Sequence, residues 1–324
     1  MSGPVMSRFT VRIAEALPSP ARQIAPEREP IRIAAVQAKW RSDPAEHLAA
    51  LEGAIHLAAT HGAKVVCLQE LTLSPYFALS PDALEQARAF EEDPLDGPTQ
   101  GFAAQVAKDT GCVVHASLYE RASDGGLGFN TAIAVSPDGT LLARTRKLHI
   151  PEFPGYHEDL YFRPGDTGTP VIEVAGARFG FPTCWDQWFP ELARIYSLEG
   201  AEVLVYPTAI GSEQGLEDFD TQPFWEQMIR ANGLANATFM VAVNRVGEER
   251  LHGQQMRFYG SSFISDPYGR LLVRADRDEE TVLVADLDLD QRRDWLSFGL
   301  FETRRPSQYG RLLNGGLLDG NGRT

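Results

Sequence analysis

The sequence predicts an α/β fold in which helices cover β-sheets, and the fold is expected to consist of two matched halves. Apolar runs typical of buried strands alternate with helical patterns along the chain. Segments of the second half repeat the order found in the first. The chain has 324 residues, of which 43% are hydrophobic, so it can bury a large core without disulfide bonds.

The first half begins with a buried strand and an amphipathic helix. Leu48, Leu51 and Ile55 follow helical spacing within 45–61, and Gly62 is placed to end that helix. A second helix is expected around 100–110. Short apolar runs predict four buried strands, at 31–37 (IRIAAVQ), 65–70 (VVCLQE), 112–120 (CVVHASLYE) and 129–137 (FNTAIAVSP).

The second half repeats this order about 130 residues later. HGAKVVCLQE (61–70) matches EGAEVLVYPT (199–208), and FNTAIAVSPDGTLLAR (129–144) matches FYGSSFISDPYGRLLVR (258–274). Two matched halves explain the length better than two unrelated domains. We therefore expect an N-terminal extension at 1–30, one domain at 31–312 and a flexible C-terminal tail at 313–324.

Composition and charge exclude several functions. Lys and Arg number 30 against 44 Asp and Glu, a net charge of −14 that argues against nucleic acid or an anionic membrane as partner. The charge mildly favours a cationic or neutral ligand. No apolar run approaches 18 residues, and residues 1–30 lack the apolar region of a secretory signal. No cluster of residues indicates a metal site, and no cofactor is expected.

Three cysteines are present, and they differ in their surroundings. Cys67 lies within a predicted strand and Cys112 begins one, so both are expected in the core. The odd number and wide spacing of the three cysteines indicate no disulfide framework, which favours a reducing cytoplasm. Cys184 instead follows a predicted strand at 177–181 and precedes a helix that begins near Pro190. On a sharp turn between a strand and a helix the cysteine side chain is presented and not buried. Free backbone N–H groups after the turn can stabilise a developing oxyanion, and the nearby helix start favours a thiolate.

A nucleophilic cysteine needs a base, and the sequence leaves two choices open. His149 and His157 are the histidines nearest to Cys184, although neither lies in a cysteine-protease signature. Glu70 ends a buried strand, where partial burial raises a carboxyl pKa toward a useful value. Lys147 follows another strand and is succeeded by apolar residues, which indicates that it enters the interior.

Taken together, these motifs resemble the nitrilase (carbon–nitrogen hydrolase) superfamily, which uses a Glu-Lys-Cys triad. The triad matches Glu70 in LQEL, Lys147 in RKLHIP and Cys184 in CWDQWFPE, and Glu158 matches the family's further glutamate. The resemblance spans about 31–312 and is strongest to the N-carbamoylputrescine amidase branch, with N-carbamoyl-β-alanine amidases as neighbours. The runs that carry the resemblance to that branch are PGY (154–156), YPTAIGSE (206–213), NRVG (244–247) and FYGSSFI (258–264).

The resemblance implies a four-layer α-β-β-α sandwich and a cysteine-dependent amidohydrolase. Glu70 would act as base, Lys147 and the Trp185 N–H would stabilise the oxyanion, and Glu158 would orient Lys147 or the substrate amide. The remaining candidates for oxyanion or substrate binding are Tyr76, His149, Trp188, Thr208 and Ala209. The family commonly forms homodimers or larger even assemblies, which we expect here.

The implied substrate is an N-carbamoyl amine of the N-carbamoylputrescine type. N-carbamoyl amino acids, ω-amides and nitriles are alternatives, and a non-catalytic binding member of the family is a further one. The sequence departs from the branch at Pro182-Thr183 and at 215–230, both near the expected pocket. Glu152, Asp159 and Glu213 are acidic residues that could receive an ammonium group.

Overall fold

The computed structural model describes residues 9–216 and 218–313, and elements of both types alternate along them. The helices are α1 (Pro44–Thr60), α2 (Leu84–Ala87), α3 (Pro98–Thr110), α4 (Pro190–Leu198), α5 (Gln222–Asn236) and α6 (Asp290–Leu296). The strands are β1 (Thr10–Ala14), β2 (Ile31–Gln37), β3 (Val65–Cys67), β4 (Glu91–Glu92), β5 (Val113–Glu120), β6 (Phe129–Val135), β7 (Leu141–Arg146), β8 (Glu152–Phe153), β9 (Tyr156–His157), β10 (Val171–Val174), β11 (Ala177–Gly180), β12 (Val203–Pro207), β13 (Phe239–Val243), β14 (Val246–Leu251), β15 (Gln254–Tyr259), β16 (Phe263–Ser265), β17 (Leu271–Arg274) and β18 (Thr281–Leu287).

The strands form two large sheets with the same internal order. The first sheet runs β1-β18-β2-β3-β5-β6-β7, and β4 pairs with β5. The second runs β10-β11-β12-β13-β16-β17. In the first sheet β2, β3 and β5 are parallel while β6 and β7 are antiparallel, and β11, β12, β13, β16 and β17 repeat this pattern. The predicted pair of matched halves is therefore confirmed.

The helices occupy equivalent places in the two halves. Helices α1 and α3 follow β2 and β3 and pack on the first sheet, and α4 and α5 follow β11 and β12 and pack on the second. Apolar side chains of both sheets meet in one central core, and separate apolar clusters lie between each sheet and its helices. The arrangement is the expected α-β-β-α sandwich.

Local sequence signals explain where the first of these helices begins. The Asp43 carboxylate accepts from the N–H groups of Ala45 (2.8 Å) and Glu46 (3.2 Å), and Pro44 fills the first helical position. The helix that follows this cap packs on the sheet through its apolar face, which includes Leu51 and Ile55.

Residues 9–30 of the predicted extension lie against the domain. Strand β1 pairs in parallel with β18 at the edge of the first sheet. Arg22 forms ion pairs with Asp288 (2.6 Å) and Asp294 (2.8 Å), and Arg28 pairs with Glu202 (2.8 Å). Residues 1–8, Glu217 and residues 314–324, which include nearly all of the predicted tail, lie outside the described residues.

Two predicted strands are shorter than expected. The strand predicted at 65–70 ends at Cys67, and four residues later Leu71 turns the chain with a left-handed conformation (φ +48°), its N–H donating to the Ser117 hydroxyl. The run at 258–264 is divided between two sheets, because Gly260 (φ +51°) and Ser261 (φ +57°) turn the chain. Among the described residues, no helix is both long and apolar enough to cross a bilayer.

Candidate active site

The predicted triad residues each follow the end of a strand. Glu70 follows β3, Lys147 directly follows β7, and Cys184 comes four residues after β11. The carboxyl ends of the parallel strands β3 and β11 lie at corresponding edges of the two sheets. Loops at such edges commonly supply the functional side chains of α/β proteins.

Lys147 is the centre of a buried ionic cluster. Its ammonium group donates to Glu70 Oε1 at 2.9 Å and to Glu158 Oε1 and Oε2 at 2.9 and 2.7 Å. All three side chains are buried. Burial opposes the charge of Lys147, but the two carboxylates outweigh this effect and raise its pKa, so the ammonium remains charged. A fixed positive charge is thus held in a water-poor site.

Neutral side chains hold the two carboxylates in place. Asn130 Nδ2 donates to Glu70 Oε1 at 2.7 Å, and the Tyr76 hydroxyl donates to Glu158 Oε1 at 2.9 Å. Burial raises the pKa of Glu158 to about 7, while the adjacent Lys147 opposes the shift. Glu70 Oε2 is buried and accepts no hydrogen bond from the described residues. That oxygen is therefore available to take a proton.

Cys184 begins a 3₁₀ helix that spans Cys184–Trp188, and its own backbone is left-handed (φ +42°). Such a conformation is uncommon outside glycine and places the side chain on a sharp turn. The Asp186 carboxylate fixes the turn by accepting the Thr183 N–H at 3.0 Å. The helix continues after a short break as α4, which agrees with the predicted helix near Pro190.

The surroundings of the Cys184 thiol correct one expectation. The helix start was expected to favour a thiolate, but burial raises the pKa of Cys184 well above its ordinary value, and the charge of Glu70 raises it further. Lys147 and a backbone hydrogen bond to Ala209 act in the opposite direction without reversing the shift. The resting thiol is therefore protonated, and the cysteine needs a base before it can attack.

His149 contacts the cysteine turn through a carboxylate. Its Nδ1 lies 2.8 Å from Asp186 Oδ1, and its ring stacks on Phe189 at 3.6 Å between centroids. The His149 backbone N–H donates to the same oxygen at 2.9 Å. Asp186 therefore links the segment after Lys147 to the turn that carries the cysteine.

Cys184 opens on a cavity of about 410 Å³ with aromatic and aliphatic walls. Its lining residues are Pro151, Phe153, Tyr156, Cys184, Trp185, Trp188, Ile210, Glu213, Leu216, Phe219 and Thr221. Trp185 and Trp188 thus lie where the sequence predicts substrate contacts. Glu213 is the one carboxylate among the described lining residues, and burial raises its pKa.

The other predicted contact residues are absent from the lining of this cavity. Thr208 is buried and its hydroxyl donates to the Tyr206 carbonyl at 3.0 Å, while Tyr76 binds Glu158. Glu152 and Asp159 are absent from the lining of the cavity. His157 lies in the short hairpin strand β9.

Sequence reasoning did not single out Arg245, which holds the loop after β3 that contains Glu70. Its fully buried guanidinium donates through Nη2 to the carbonyl oxygens of Glu70 (3.0 Å), Leu71 (2.7 Å) and Ser74 (2.7 Å). Glu249 accepts from Nη1 at 2.5 Å and balances the charge. Asn130 and Asp186 were missed in the same way. Asn130, Arg245 and Asp186 lie within the runs FNTAIAV, NRVG and CWDQW, respectively. The sequence shows these residues but not the groups to which they bind.

The described residues contain no group of three or more His, Cys, Asp or Glu side chains arranged to hold a metal ion. The chemistry that the site offers is that of a thiol, a nearby carboxylate base and a fixed ammonium. Such a set is suited to nucleophilic attack on a polarised carbonyl carbon.

Comparisons with known proteins agree with this chemistry. The carbon-nitrogen hydrolase family model matches residues 32–296. The N-carbamoylputrescine amidase of Arabidopsis thaliana is 38% identical over 304 residues, which cover 91% of this chain and 98% of that protein. The citrullinase of Francisella tularensis is 37% identical over 288 residues, covering 87% and 98%.

A solved structure extends the similarity to the fold. The carbon-nitrogen hydrolase of Helicobacter pylori G27 superposes with a TM-score of 0.77 at 31% identity, covering 88% of this chain and 98% of that one. The chain therefore belongs to the carbon-nitrogen hydrolase family of the nitrilase superfamily, and it is a hydrolase of carbon–nitrogen bonds other than peptide bonds.

Proposed function

We propose that the protein is a cysteine amidohydrolase that converts an N-carbamoyl amine, of the N-carbamoylputrescine type, to the amine, CO₂ and ammonia. One observation carries the proposal. The buried cluster of Glu70, Lys147 and Glu158 acts on the thiol of Cys184, and this thiol opens on an apolar cavity with a single carboxylate, Glu213.

In the first half of the reaction Glu70 removes the thiol proton as Cys184 attacks the carbamoyl carbon. Lys147 and the backbone N–H of Trp185 stabilise the tetrahedral oxyanion. Glu70 then gives its proton to the leaving nitrogen, the C–N bond breaks, and ammonia departs. A thioester-type intermediate remains on Cys184. Glu158 keeps Lys147 in position throughout.

In the second half of the reaction a water molecule attacks the intermediate. Glu70 takes a proton from the water, the new C–O bond forms, and the S–C bond breaks as the proton returns to the sulfur of Cys184. The released N-substituted carbamic acid decomposes to CO₂ and the amine. The free Oε2 of Glu70 suits this repeated exchange of one proton.

The cavity supports a substrate with an apolar chain and a cationic end. Trp185, Trp188 and Phe153 can enclose methylene groups, and Glu213 can receive an ammonium group. Thr221 donates to Glu213 Oε1 at 3.1 Å and orients it. The similarity to N-carbamoylputrescine amidases points to the same class of molecule.

Citrulline is the second candidate because one relative is a citrullinase and because citrulline also carries a terminal carbamoyl group. It has a carboxylate in addition to its ammonium. The described lining of the cavity contains no Lys or Arg that could pair with that carboxylate. The lining therefore favours a substrate whose distal end carries only positive charge.

The test is an ammonia-release screen with the purified protein. The substrates are N-carbamoylputrescine, citrulline, N-carbamoyl-β-alanine, N-carbamoyl amino acids, ω-amides and nitriles. We expect the highest kcat/KM for N-carbamoylputrescine, and a loss of about 10³-fold or more in Cys184→Ala and in Glu70→Gln. Glu213→Gln should raise KM for the cationic substrate about tenfold while leaving neutral amides nearly unaffected. Activity only on anionic carbamoyl acids would contradict the proposed substrate, and turnover by Cys184→Ala would contradict the mechanism.

We also propose that the protein acts as a homodimer or a larger even assembly in a reducing compartment such as the cytoplasm. Exposed apolar side chains on α4, α5 and the segment after α6 offer a surface for self-association. They are Ile195, Leu198, Phe224, Leu234 and Phe298. A reducing compartment would keep the Cys184 thiol in the form that the reaction requires.

A further inference from the structure

Arg245 lies between strands β13 and β14 in the second half of the fold, but its side chain contacts the loop of the first half that contains Glu70. The two residues are 175 positions apart in the chain. The guanidinium group is fully buried, and a buried charge is costly unless hydrogen bonds and an opposite charge compensate it. The bonds of this group therefore indicate what it does for the site.

One nitrogen of the guanidinium holds the backbone of the Glu70 loop. Nη2 lies 3.0 Å from the carbonyl oxygen of Glu70 and 2.7 Å from those of Leu71 and Ser74. The pairing of β3 with β5 ends at Cys67, so this ladder does not extend to Glu70. Arg245 therefore fixes a part of the chain that the sheet leaves free to adopt another course, and the proposed base lies in that part.

The other nitrogen of the guanidinium extends this arrangement to Glu158. Nη1 donates to Glu249 Oε1 at 2.5 Å, and Glu249 Oε2 accepts the backbone N–H of Tyr76 at 2.7 Å. The Tyr76 hydroxyl in turn donates to Glu158 Oε1 at 2.9 Å. A displacement of Glu249 would therefore reach Glu158 through a single intervening residue.

The two carboxylates that are held in this way meet at Lys147. Its ammonium nitrogen lies 2.9 Å from Glu70 Oε1 and 2.7 Å from Glu158 Oε2. Because all three side chains are buried, little water screens their charges, and their interaction depends strongly on distance. The distances within this cluster thus depend on the ion pair between Arg245 and Glu249.

Arg245 and Glu249 are not placed to bind the substrate. Neither residue lines the cavity at Cys184. Their charges face each other, and the Arg245 side chain has no exposed surface. Any effect of this pair on the reaction must therefore be exerted through the groups that it holds.

We propose that Arg245, paired with Glu249, is a positioning residue for the reaction, which sets the places of the two carboxylates that bind Lys147. The proposal rests on the proposed function in one respect, which is the role of Glu70 as the base. Arginine suits this task because its planar fork bonds to carbonyl groups through one nitrogen and to a carboxylate through another. The proposal thereby gives a role to the arginine of the run NRVG.

The test is a double-mutant cycle on the kcat of ammonia release, with the compound that the wild type hydrolyses fastest. Arg245→Lys keeps the charge beside Glu249 but loses the fork. We expect kcat to fall about 30-fold, and KM to stay within about threefold because Arg245 does not line the cavity. In the Glu70→Gln background, the same substitution should lower kcat by less than about twofold, because residues that act as a unit are not additive.

Glu249→Gln provides a second cycle with the same Glu70→Gln background. Both oxygens of Glu249 accept hydrogen bonds, one from Arg245 and one from Tyr76. The amide nitrogen of the glutamine must face one of these donors, so one contact is lost. We expect kcat to fall about tenfold in the wild-type background and by less than about twofold in Glu70→Gln.

Arg292→Lys is the matched control for Arg245→Lys. Arg292 also donates to three backbone carbonyl groups, those of Ser197 (2.8 Å), Asn236 (3.0 Å) and Ala237 (3.0 Å), and none of these residues lines the cavity at Cys184. Both lysine variants should lower Tm by a similar amount, about 2–6 °C. Arg292→Lys should nevertheless keep kcat within about twofold of the wild type.

Three results would overturn the proposal. The first is an equal loss of kcat from Arg245→Lys in the two backgrounds, which would show a purely structural role. The second is wild-type kcat in both Arg245→Lys and Glu249→Gln, and the third is a loss in Arg292→Lys as large as that in Arg245→Lys. Wild-type turnover in Glu70→Gln alone would instead contradict the base of the proposed function, and this proposal with it, so that single variant distinguishes the two failures.

Discussion

At the scale of single residues, the candidate site is characterised by charged groups that are buried beside one another. Lys147 keeps its proton because two carboxylates surround it, and the Cys184 thiol keeps its proton because burial and Glu70 disfavour the anion. In the proposed mechanism the thiol therefore loses its proton only as it attacks, and one oxygen of Glu70 has no partner among the described residues and can receive it. Catalysis by such a pair depends on proton transfer within the site and not on a resting thiolate.

The sequence alone predicts Glu70, Lys147 and Cys184 as site residues, because each lies in a short run of characteristic residues, and the structure brings Glu70 and Lys147 within 2.9 Å of each other. It left the base open between histidine and glutamate until the resemblance was considered. The charge of Glu70 acts on the Cys184 thiol, whereas His149 contacts the Asp186 carboxylate through Nδ1 and stacks on Phe189. This pairing joins residues 37 positions apart, and nothing in the linear pattern indicates it.

His115 provides a residue-scale prediction about stability. It is fully buried on β5, stacks on Phe181 at 5.1 Å between ring centroids, and neither ring nitrogen has a partner among the described residues. Burial lowers its pKa to about 3. Between about pH 6.5 and pH 3 the unfolded chain therefore binds a proton that the folded chain does not, so stability falls as the pH falls through that window.

We expect His115→Leu to increase the free energy of unfolding at pH 7 by about 1–3 kcal/mol, because two unsatisfied polar atoms are removed. The loss of stability between pH 7 and pH 5 should shrink by about 2 kcal/mol. Urea unfolding at both pH values measures the two quantities, and His56→Leu at an exposed position on α1 is the control. An unchanged pH dependence in His115→Leu would contradict the assignment.

At the scale of elements, catalytic geometry depends on how loops are tied to one another. Asp186 accepts N–H groups from Thr183 and His149, so it holds the turn of Cys184 against the segment that follows Lys147. Arg245 does the same for the loop after β3 by binding the carbonyl groups of Glu70, Leu71 and Ser74. The functional loops are thereby kept rigid without belonging to either sheet.

Replacing Asp186 tests this arrangement. In Asp186→Asn one acceptor oxygen becomes an amide donor that faces backbone N–H groups, so the turn should loosen. We expect the rate of ammonia release to fall about 100-fold. The rate at which iodoacetamide alkylates Cys184 should change as well. Glu191→Gln, at an exposed position at the start of α4, should retain full activity. Wild-type turnover in Asp186→Asn would show that the carboxylate is not needed for positioning.

The elements themselves were largely predictable, and their ends were not. Strands β2, β5 and β6 and helix α1 lie where apolar runs and helical spacing predict them. The strand before Glu70 stops early and the run at 258–264 divides, because left-handed residues and side-chain hydrogen bonds change the course of the chain. Such turns depend on contacts between distant residues, which a linear pattern does not contain.

At the scale of the whole molecule, the duplication explains how a chain of this length is built around one central core. Each half supplies a sheet with one face toward the other, and the shared core holds the halves together. The sequence indicated the duplication through two pairs of similar segments. It did not indicate which faces of the two sheets would meet in the shared core, because that depends on packing and not on any single segment.

The proposed assembly is tested by mass. Multi-angle light scattering on the wild type should give twice the chain mass of 35.7 kDa or a larger even multiple. Ile195→Asp places a charge among exposed apolar side chains of α4 and should shift the protein toward the monomer. Leu127→Asp, at an exposed apolar position in the loop between β5 and β6, should leave the mass unchanged. A wild-type protein that is only monomeric would contradict the assembly.

The position of β18 also constrains how the chain can fold during synthesis. This strand comes from 281–287, yet it lies between β1 and β2, which belong to the first 37 residues. The first sheet therefore cannot be completed until almost the whole chain has left the ribosome. A nascent chain that stops before Thr281 would present β2 as an unpaired edge, which is a template for aggregation. The two halves are thus matched in architecture, but the first sheet cannot be completed before the strands of the second have been synthesised.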